Sequence, residues 1–213
     1  MKDLSHYRKS YEKSALEEVS IPDNPIMLFN TWFHETDSAD GPEEVNAMTV
    51  STIGIDGFPK SRIVLLKQFT EEGFVFYTNY NSEKGKAIAE NPSVCLSFFW
   101  QSMERQVIIK GKAEKTPEDV SDLYFASRPL GSRLGAIASS QSEVLHSRKA
   151  LEDKLAELER EYQDKPVPRP DHWGGYLVRP VEIEFWQGRK NRLHDRIIYK
   201  KSGDLWSMSR LYP

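Results

Sequence analysis

Ser61-Arg62-Ile63-Val64-Leu65-Leu66-Lys67, followed by the turn Glu71-Glu72-Gly73 and then by Phe74-Val75-Phe76-Tyr77-Thr78, reads as two β-strands joined by a tight reversal. Both runs are rich in β-branched, aliphatic and aromatic residues, and the cations stand at the ends of the first, so an antiparallel hairpin is expected. Similar short runs lie on either side, at 47–53, 93–99 and 105–114, and Asp56-Gly57 supplies turn chemistry between the first two strands. One helix interrupts them. It is expected to begin at Ser82, to carry Glu83-Lys84-Gly85-Lys86 in its first turns, and to stop at Asn91-Pro92.

Outward from this block, Asn24-Pro25 is a cap followed by a first-turn proline, and Ile26, Phe29 and Phe33 recur at helical spacing through His34. Thr116-Pro117-Glu118-Asp119 predicts a helix over 117–127 with the Thr116 hydroxyl as its cap, ended by Arg128-Pro129. Leu151, Leu155, Leu158 and Tyr162 form one apolar stripe in a charged surround, the pattern of a surface amphipathic helix. Strands return at 176–186 and 193–200, with a last one near 205–208. About eight antiparallel strands with helices at the margins predict a mainly β, α+β fold and a closed or split β-barrel, since closure removes exposed edges. Residues 1–21 are polar and are expected to form a mobile flap; no linker divides 22–213, which reads as a single domain.

The chain has 213 residues and a net charge of −3, so it lacks the global basic field that non-specific nucleic-acid binding needs. No apolar run approaches the roughly 18 residues of a membrane span, and the first twenty residues lack a signal-peptide core; a cytoplasmic protein without membrane or nucleic-acid partners is expected. A single cysteine, Cys95, allows no internal disulfide, and no metal motif is present.

Candidate chemistry is scattered. In Arg192-Leu193-His194-Asp195-Arg196 alternate residues of an extended strand would share a face, so Arg192, His194 and Arg196 would form a cationic row suited to an anion. Ser82 and Lys84 at a helix N-terminus combine free N–H groups with an ammonium. Arg62 and Lys67 lie five positions apart on opposite faces of a regular strand and are expected to serve different groups. Tyr124, Arg128 and Ser132, at i, i+4, i+8, place a guanidinium between two hydroxyls. Gln106, Gln141 and Ser142 suit the edge of a heteroaromatic ring, and Trp186 ends a strand beside Gly188, which permits close approach. The familiar dinucleotide, P-loop, nucleophile-elbow and zinc signatures are absent. Phosphate-type cations without a nucleophile or acid–base dyad suit a phosphorylated aromatic cofactor that carries the chemistry itself.

Seven segments, in order, resemble the pyridoxine/pyridoxamine 5′-phosphate oxidase family: Arg62-Ile63-Val64-Leu65-Leu66-Lys67, Phe76-Tyr77-Thr78-Asn79, Glu104-Arg105-Gln106-Val107, Ser127-Arg128-Pro129, Gln141-Ser142, Glu184-Phe185-Trp186-Gln187-Gly188 and Arg192-Leu193-His194-Asp195-Arg196. The resemblance runs from about Tyr7 to Arg210-Leu211. It implies a homodimeric FMN-binding split barrel with active sites shared between subunits, oxidising pyridoxine or pyridoxamine 5′-phosphate to pyridoxal 5′-phosphate while molecular oxygen becomes hydrogen peroxide.

By the same resemblance, FMN contacts fall on Arg62, Ile63, Val64, Leu65, Leu66, Lys67, Tyr77, Thr78, Lys84, Gln106, Gln141, Ser142, Trp186 and Arg196. The substrate phosphate falls on Lys67, Tyr124, Arg128 and Ser132. Arg192, Leu193 and His194 lie by the substrate ring, with Arg192 and His194 in the catalytic role, and Arg8, Lys9, Ser10 and Tyr11 form a closing flap. Glu83 stands where the family commonly carries a basic residue, and Lys9-Ser10 where it usually carries Arg-Glu. Two alternatives stand beside this reading: a split-barrel flavin oxidoreductase for another anionic substrate, and a carrier that holds FMN or pyridoxal phosphate without turnover.

Overall fold

A computed structural model describes residues 2–39 and 44–213; Met1, the first residue of the expected flap, and residues 40–43 lie outside it. In chain order the elements are α1 (Pro25–Ser38), β1 (Ala47–Ile53), β2 (Pro59–Leu65), β3 (Gln68–Thr70), β4 (Gly73–Asn79), α2 (Glu83–Glu90), β5 (Ser93–Trp100), β6 (Arg105–Lys115), α3 (Glu118–Ser127), α4 (Leu130–Ala138), α5 (Arg148–Glu161), β7 (Trp173–Gln187), β8 (Asp195–Ser202) and β9 (Leu205–Leu211). The hydrogen-bonded order is β2-β1-β5-β6-β7-β4-β3, with β8 on β7 and β9 on β8. Length explains the branch at β7. Its first half pairs antiparallel with β4, from Asn79↔Trp173 to Phe74↔Val178, and its second half pairs with β8, from Gln187↔Asp195 to Glu182↔Lys200.

The hairpin quoted first is corrected: β2 ends at Leu65 and pairs with β1, and it is the short β3 that turns back and pairs antiparallel with β4. The strand count is therefore nine among the described residues, against the eight expected. Asn24 caps α1 as expected, its Oδ1 accepting from Ile26 N at 2.8 Å. Thr116 does not cap α3. Pro117 holds the cap position, and the Thr116 hydroxyl instead bonds the Ser121 hydroxyl at 2.9 Å. The proline that ends α3 also starts α4, an unexpected helix: Pro129 sits at its N-cap and accepts from Ser132 N at 2.9 Å.

The chain forms two compact units, one of Met1–Val50, Cys95–Gly111 and Pro180–Pro213, the other of Ser51–Val94 and Lys112–Arg179. The first is built on aromatic rings: Phe29 meets Phe98, and Trp32 meets Phe185, each with centroids 5.2 Å apart and edge to face. Such pairs add about 0.5–1.5 kcal/mol each beyond their buried area. In the second, Phe125, Leu134, Val167 and Trp173 form a core on which Leu155 and Leu158 of α5 and its C-cap residue Tyr162 pack, three of the four residues of the predicted stripe.

Candidate functional site

The second unit holds a cavity of about 660 Å³. The end of β2, the strand β4, the start of α2, the α3–α4 corner and the loop through Gln141 supply its walls. Ile63, Val64, Leu65, Lys67, Tyr77, Thr78, Lys84, Tyr124, Arg128, Ser132 and Gln141 all line it, so most of the expected cofactor and phosphate residues meet there.

Lys84 is its electrostatic centre. It is 7% exposed, and its ammonium donates to Gln141 Oε1 (2.9 Å), Thr78 Oγ1 (3.1 Å) and Ser82 Oγ (3.4 Å), all neutral groups. Burial, and then the nearby Arg62 guanidinium, push its pKa down to about 8, with Glu83 partly opposing. Local sequence explains the placement: Ser82 caps α2 by accepting from Gly85 N, and Gly85 seats the first turn where a Cβ would come within 2.1 Å of Tyr80 O. Arg62 donates to Thr52 Oγ1 (2.8 Å) and to Lys60 O (2.9 Å), and burial lowers its pKa as well. Glu83 is ion-paired with Lys60, so a basic residue from the neighbouring strand offsets the carboxylate at this helix start.

At the other end of the cavity Arg128 lies 4.5 Å above the Trp173 ring, and its buried Nη1 has no hydrogen-bond partner among the described residues. Leaving a buried guanidinium N–H unpaired is costly, which marks the position as one that an external acceptor completes. Tyr77 and Tyr124 stack with centroids 3.8 Å apart and 19° between planes, and Tyr77 lies 5.6 Å from Trp173. Trp173 was missed by the sequence reading. Its only signal is the following Gly174-Gly175, which lets β7 approach Tyr77 closely: a Cβ on Gly175 would lie 2.9 Å from Tyr77 Cε1.

Some expected cofactor residues sit elsewhere. Leu66 is 4% exposed and its side chain belongs to the core, not the cavity. Ser142 lines the adjoining hollow, next to Gln141. Gln106, Trp186 and Arg196 belong to the first unit.

In that unit Tyr11, Trp186, Arg192 and His194 gather at the end of β7. The cationic row expected of Arg192, His194 and Arg196 is corrected here. β8 begins only at Asp195, while Lys190–Arg192 form a 3-10 turn with Asn191 and Arg192 at φ 58° and 64°, so strand alternation does not reach back to Arg192. Arg196 needs no outside anion either: it makes a two-pronged pair with Glu184 (2.8 and 3.0 Å), its diagonal neighbour across β7. His194 packs on Trp186 at 4.6 Å, and its Nδ1 accepts from Arg189 N at 3.0 Å, which places the ring proton on Nε2. Burial and then the Arg192 charge lower its pKa, so the neutral form prevails at neutral pH.

Arg8, Lys9, Ser10, Tyr11, Arg192 and His194 line one hollow of about 290 Å³, whereas Leu193 opens to a neighbouring one beside Tyr11. Arg189 and Glu104 were not anticipated. Arg189 both bonds His194 and pairs with Asp195 at 3.0 Å.

This fold and this cavity define a class, the split-barrel flavoproteins. PhzG from Burkholderia lata, solved in complex with tetrahydrophenazine-1-carboxylic acid, superposes with a TM-score of 0.89 at 30% identity, over 96% of this chain and 100% of that one. A pyridoxamine 5′-phosphate oxidase-related, FMN-binding protein from Nostoc punctiforme shares the fold at a TM-score of 0.69 and 15% identity, over 91% and 99% of the two chains.

Residues 37–161 match the family model described as pyridoxamine 5′-phosphate oxidase, and residues 173–213 match the pyridoxine 5′-phosphate oxidase C-terminal dimerisation region. The pyridoxine/pyridoxamine 5′-phosphate oxidase of Flavobacterium johnsoniae is 68% identical over 99% of each chain. The chain belongs to the pyridoxamine 5′-phosphate oxidase family, a family of oxidoreductases.

Proposed function

We propose that this protein binds FMN and oxidises pyridoxine 5′-phosphate or pyridoxamine 5′-phosphate to pyridoxal 5′-phosphate in the cytoplasm, with molecular oxygen reduced to hydrogen peroxide. The observation that carries the reading is the cavity with two cations: the buried Lys84, held only by neutral oxygens, and the half-buried Arg128, whose buried Nη1 is unpartnered among the described residues. These groups fit a phosphate-bearing ligand. Lys84, Arg62 and the Ser82-capped helix start would hold the FMN phosphate, and Thr78 and Gln141, already on the ammonium, would orient its chain. Bound FMN would supply the hydride acceptor.

Lys67, Tyr124, Arg128 and Ser132 grip the substrate phosphate, which fixes the reacting carbon and makes the transfer effectively intramolecular. Neutral His194 and cationic Arg192 orient the pyridine ring and favour the charge that develops on it. Arg8, Lys9, Ser10 and Tyr11 close over the ring and limit water. Gln106, Trp186 and Arg196 are assigned to the cofactor held by the partner subunit, so each site of the homodimer draws on both chains; the match to a dimerisation region supports this.

The phosphate grip favours this reading over a different anionic substrate, and Arg192 with His194 favours it over a carrier. Oxygen-consumption assays test it. Phosphorylated pyridoxine and pyridoxamine should both be turned over with release of peroxide and the unphosphorylated forms used poorly; equal use of both would remove the phosphate assignment.

A further inference from the structure

Glu104 carries a carboxylate that the reaction does not use. It follows the 3-10 turn Gln101–Met103 with φ 55° and ψ 39°, a left-handed conformation uncommon outside glycine, and it is only 3% exposed. A buried carboxylate needs partners, and among the described residues every group that meets this one comes from residues 9–13. Oε2 accepts from the backbone N–H of Glu12 (2.8 Å) and Lys13 (3.1 Å), and Oε1 faces Lys9 Nζ at 3.6 Å. The backbone of the same residue faces the opposite way: its carbonyl accepts from Gly188 N (2.8 Å) and Gln187 Nε2 (3.2 Å), at the end of β7.

Between these two attachments sits Tyr11. Its ring meets Trp186 edge-on at 5.8 Å and lies 5.9 Å from His194, and a Cβ on Gly188 would come within 2.8 Å of it. Residues 9–13 are otherwise largely exposed, so few other forces hold Tyr11 in this place.

We propose that Glu104 is a positioning residue: its carboxylate latches the N-terminal segment so that Tyr11 closes on the Trp186–His194 pair. The catalytic part of this inference rests on the proposed function, because it takes that pair to face the substrate; the latch itself does not.

Trypsin, cutting after Arg8, Lys9 and Lys13, reads the latch directly in the full-length protein. Glu104→Ala should speed that cleavage about tenfold or more, the consequence of losing two charge-assisted bonds. Glu104→Gln keeps an acceptor oxygen and should stay within about threefold of the parent. Lys13→Pro removes one donor from an exposed segment without touching the core; it also removes the cut after Lys13, so it is read on the cuts after Arg8 and Lys9, which should be faster. In turnover, Glu104→Ala should raise KM more than it lowers kcat, and combining it with Tyr11→Ala should add nothing to Tyr11→Ala alone.

Parental cleavage rates in Glu104→Ala and Lys13→Pro, or losses that multiply in the double variant, would overturn the proposal. Should the parent fail to oxidise the phosphorylated vitamers, the proposed function falls while the cleavage rates still decide the latch.

Discussion

Lys84 concentrates the residue-scale argument. An ammonium with three neutral acceptors and a pKa of about 8 sits at the edge of deprotonation, and only an anion would return it to ordinary basicity. The sign follows. Because the folded pKa lies below the unfolded value of 10.5, the ligand-free protein gains stability from this group as pH rises from about 8 towards 10.5. Phosphate binding has the opposite trend: above pH 8 it must take up a proton, so FMN affinity should fall by up to about tenfold per pH unit. Calorimetric titration of FMN across this range checks the slope, and Lys84→Met should bind weakly with that slope gone. Arg128→Ala removes a charge-assisted bond of about 1.5–3 kcal/mol and should raise KM for the phosphorylated substrate roughly ten- to a hundredfold, with a much smaller effect on kcat. Steady-state kinetics with both substrate forms measure it.

At the scale of elements, the site depends on where helices start. Gly85 lets the first turn of α2 rest on Tyr80 O, so Gly85→Ala should push Lys84 off its acceptors and cost about 1–3 kcal/mol of stability together with flavin affinity. Thermal unfolding and flavin fluorescence titration report the two losses separately. The sequence made α2 legible through Ser82, and it made β4 and the α5 stripe legible through periodicity, because those signals are local. It hid α4, since Pro129 reads as the end of one helix and serves equally as the start of the next. It also misled at β8: Arg192 and His194 alternate like strand residues, but Asn191 and Arg192 are left-handed and turn the chain before the strand starts, a choice that depends on packing around Arg189 and Trp186. The partners of Arg196 and Glu104 lie 12 and about 90 residues away in the chain, and no spacing rule reaches them.

At the scale of the whole molecule, the expected FMN and substrate residues fall into two groups, one in each compact unit. A two-fold dimer in which each cavity is completed by the other chain makes a distinctive prediction. Lys67→Ala and Arg192→Ala, each nearly inactive alone, should complement when co-expressed, because one site of every heterodimer collects both lesions and the other neither. Random assortment then restores roughly a quarter of parental activity. Tagged pull-down verifies that heterodimers form, and activity no higher than that of the separate variants would place both residues in one chain.

The central claim, that flavin and phosphorylated vitamer meet in this protein, has a direct optical test. Purified protein is expected to be yellow with releasable FMN, and under strictly anaerobic conditions the yellow absorbance should bleach on adding pyridoxine 5′-phosphate and return when oxygen is admitted. Protein that cannot be loaded with FMN, or a flavin that stays oxidised in the presence of the phosphorylated substrate, would contradict the account.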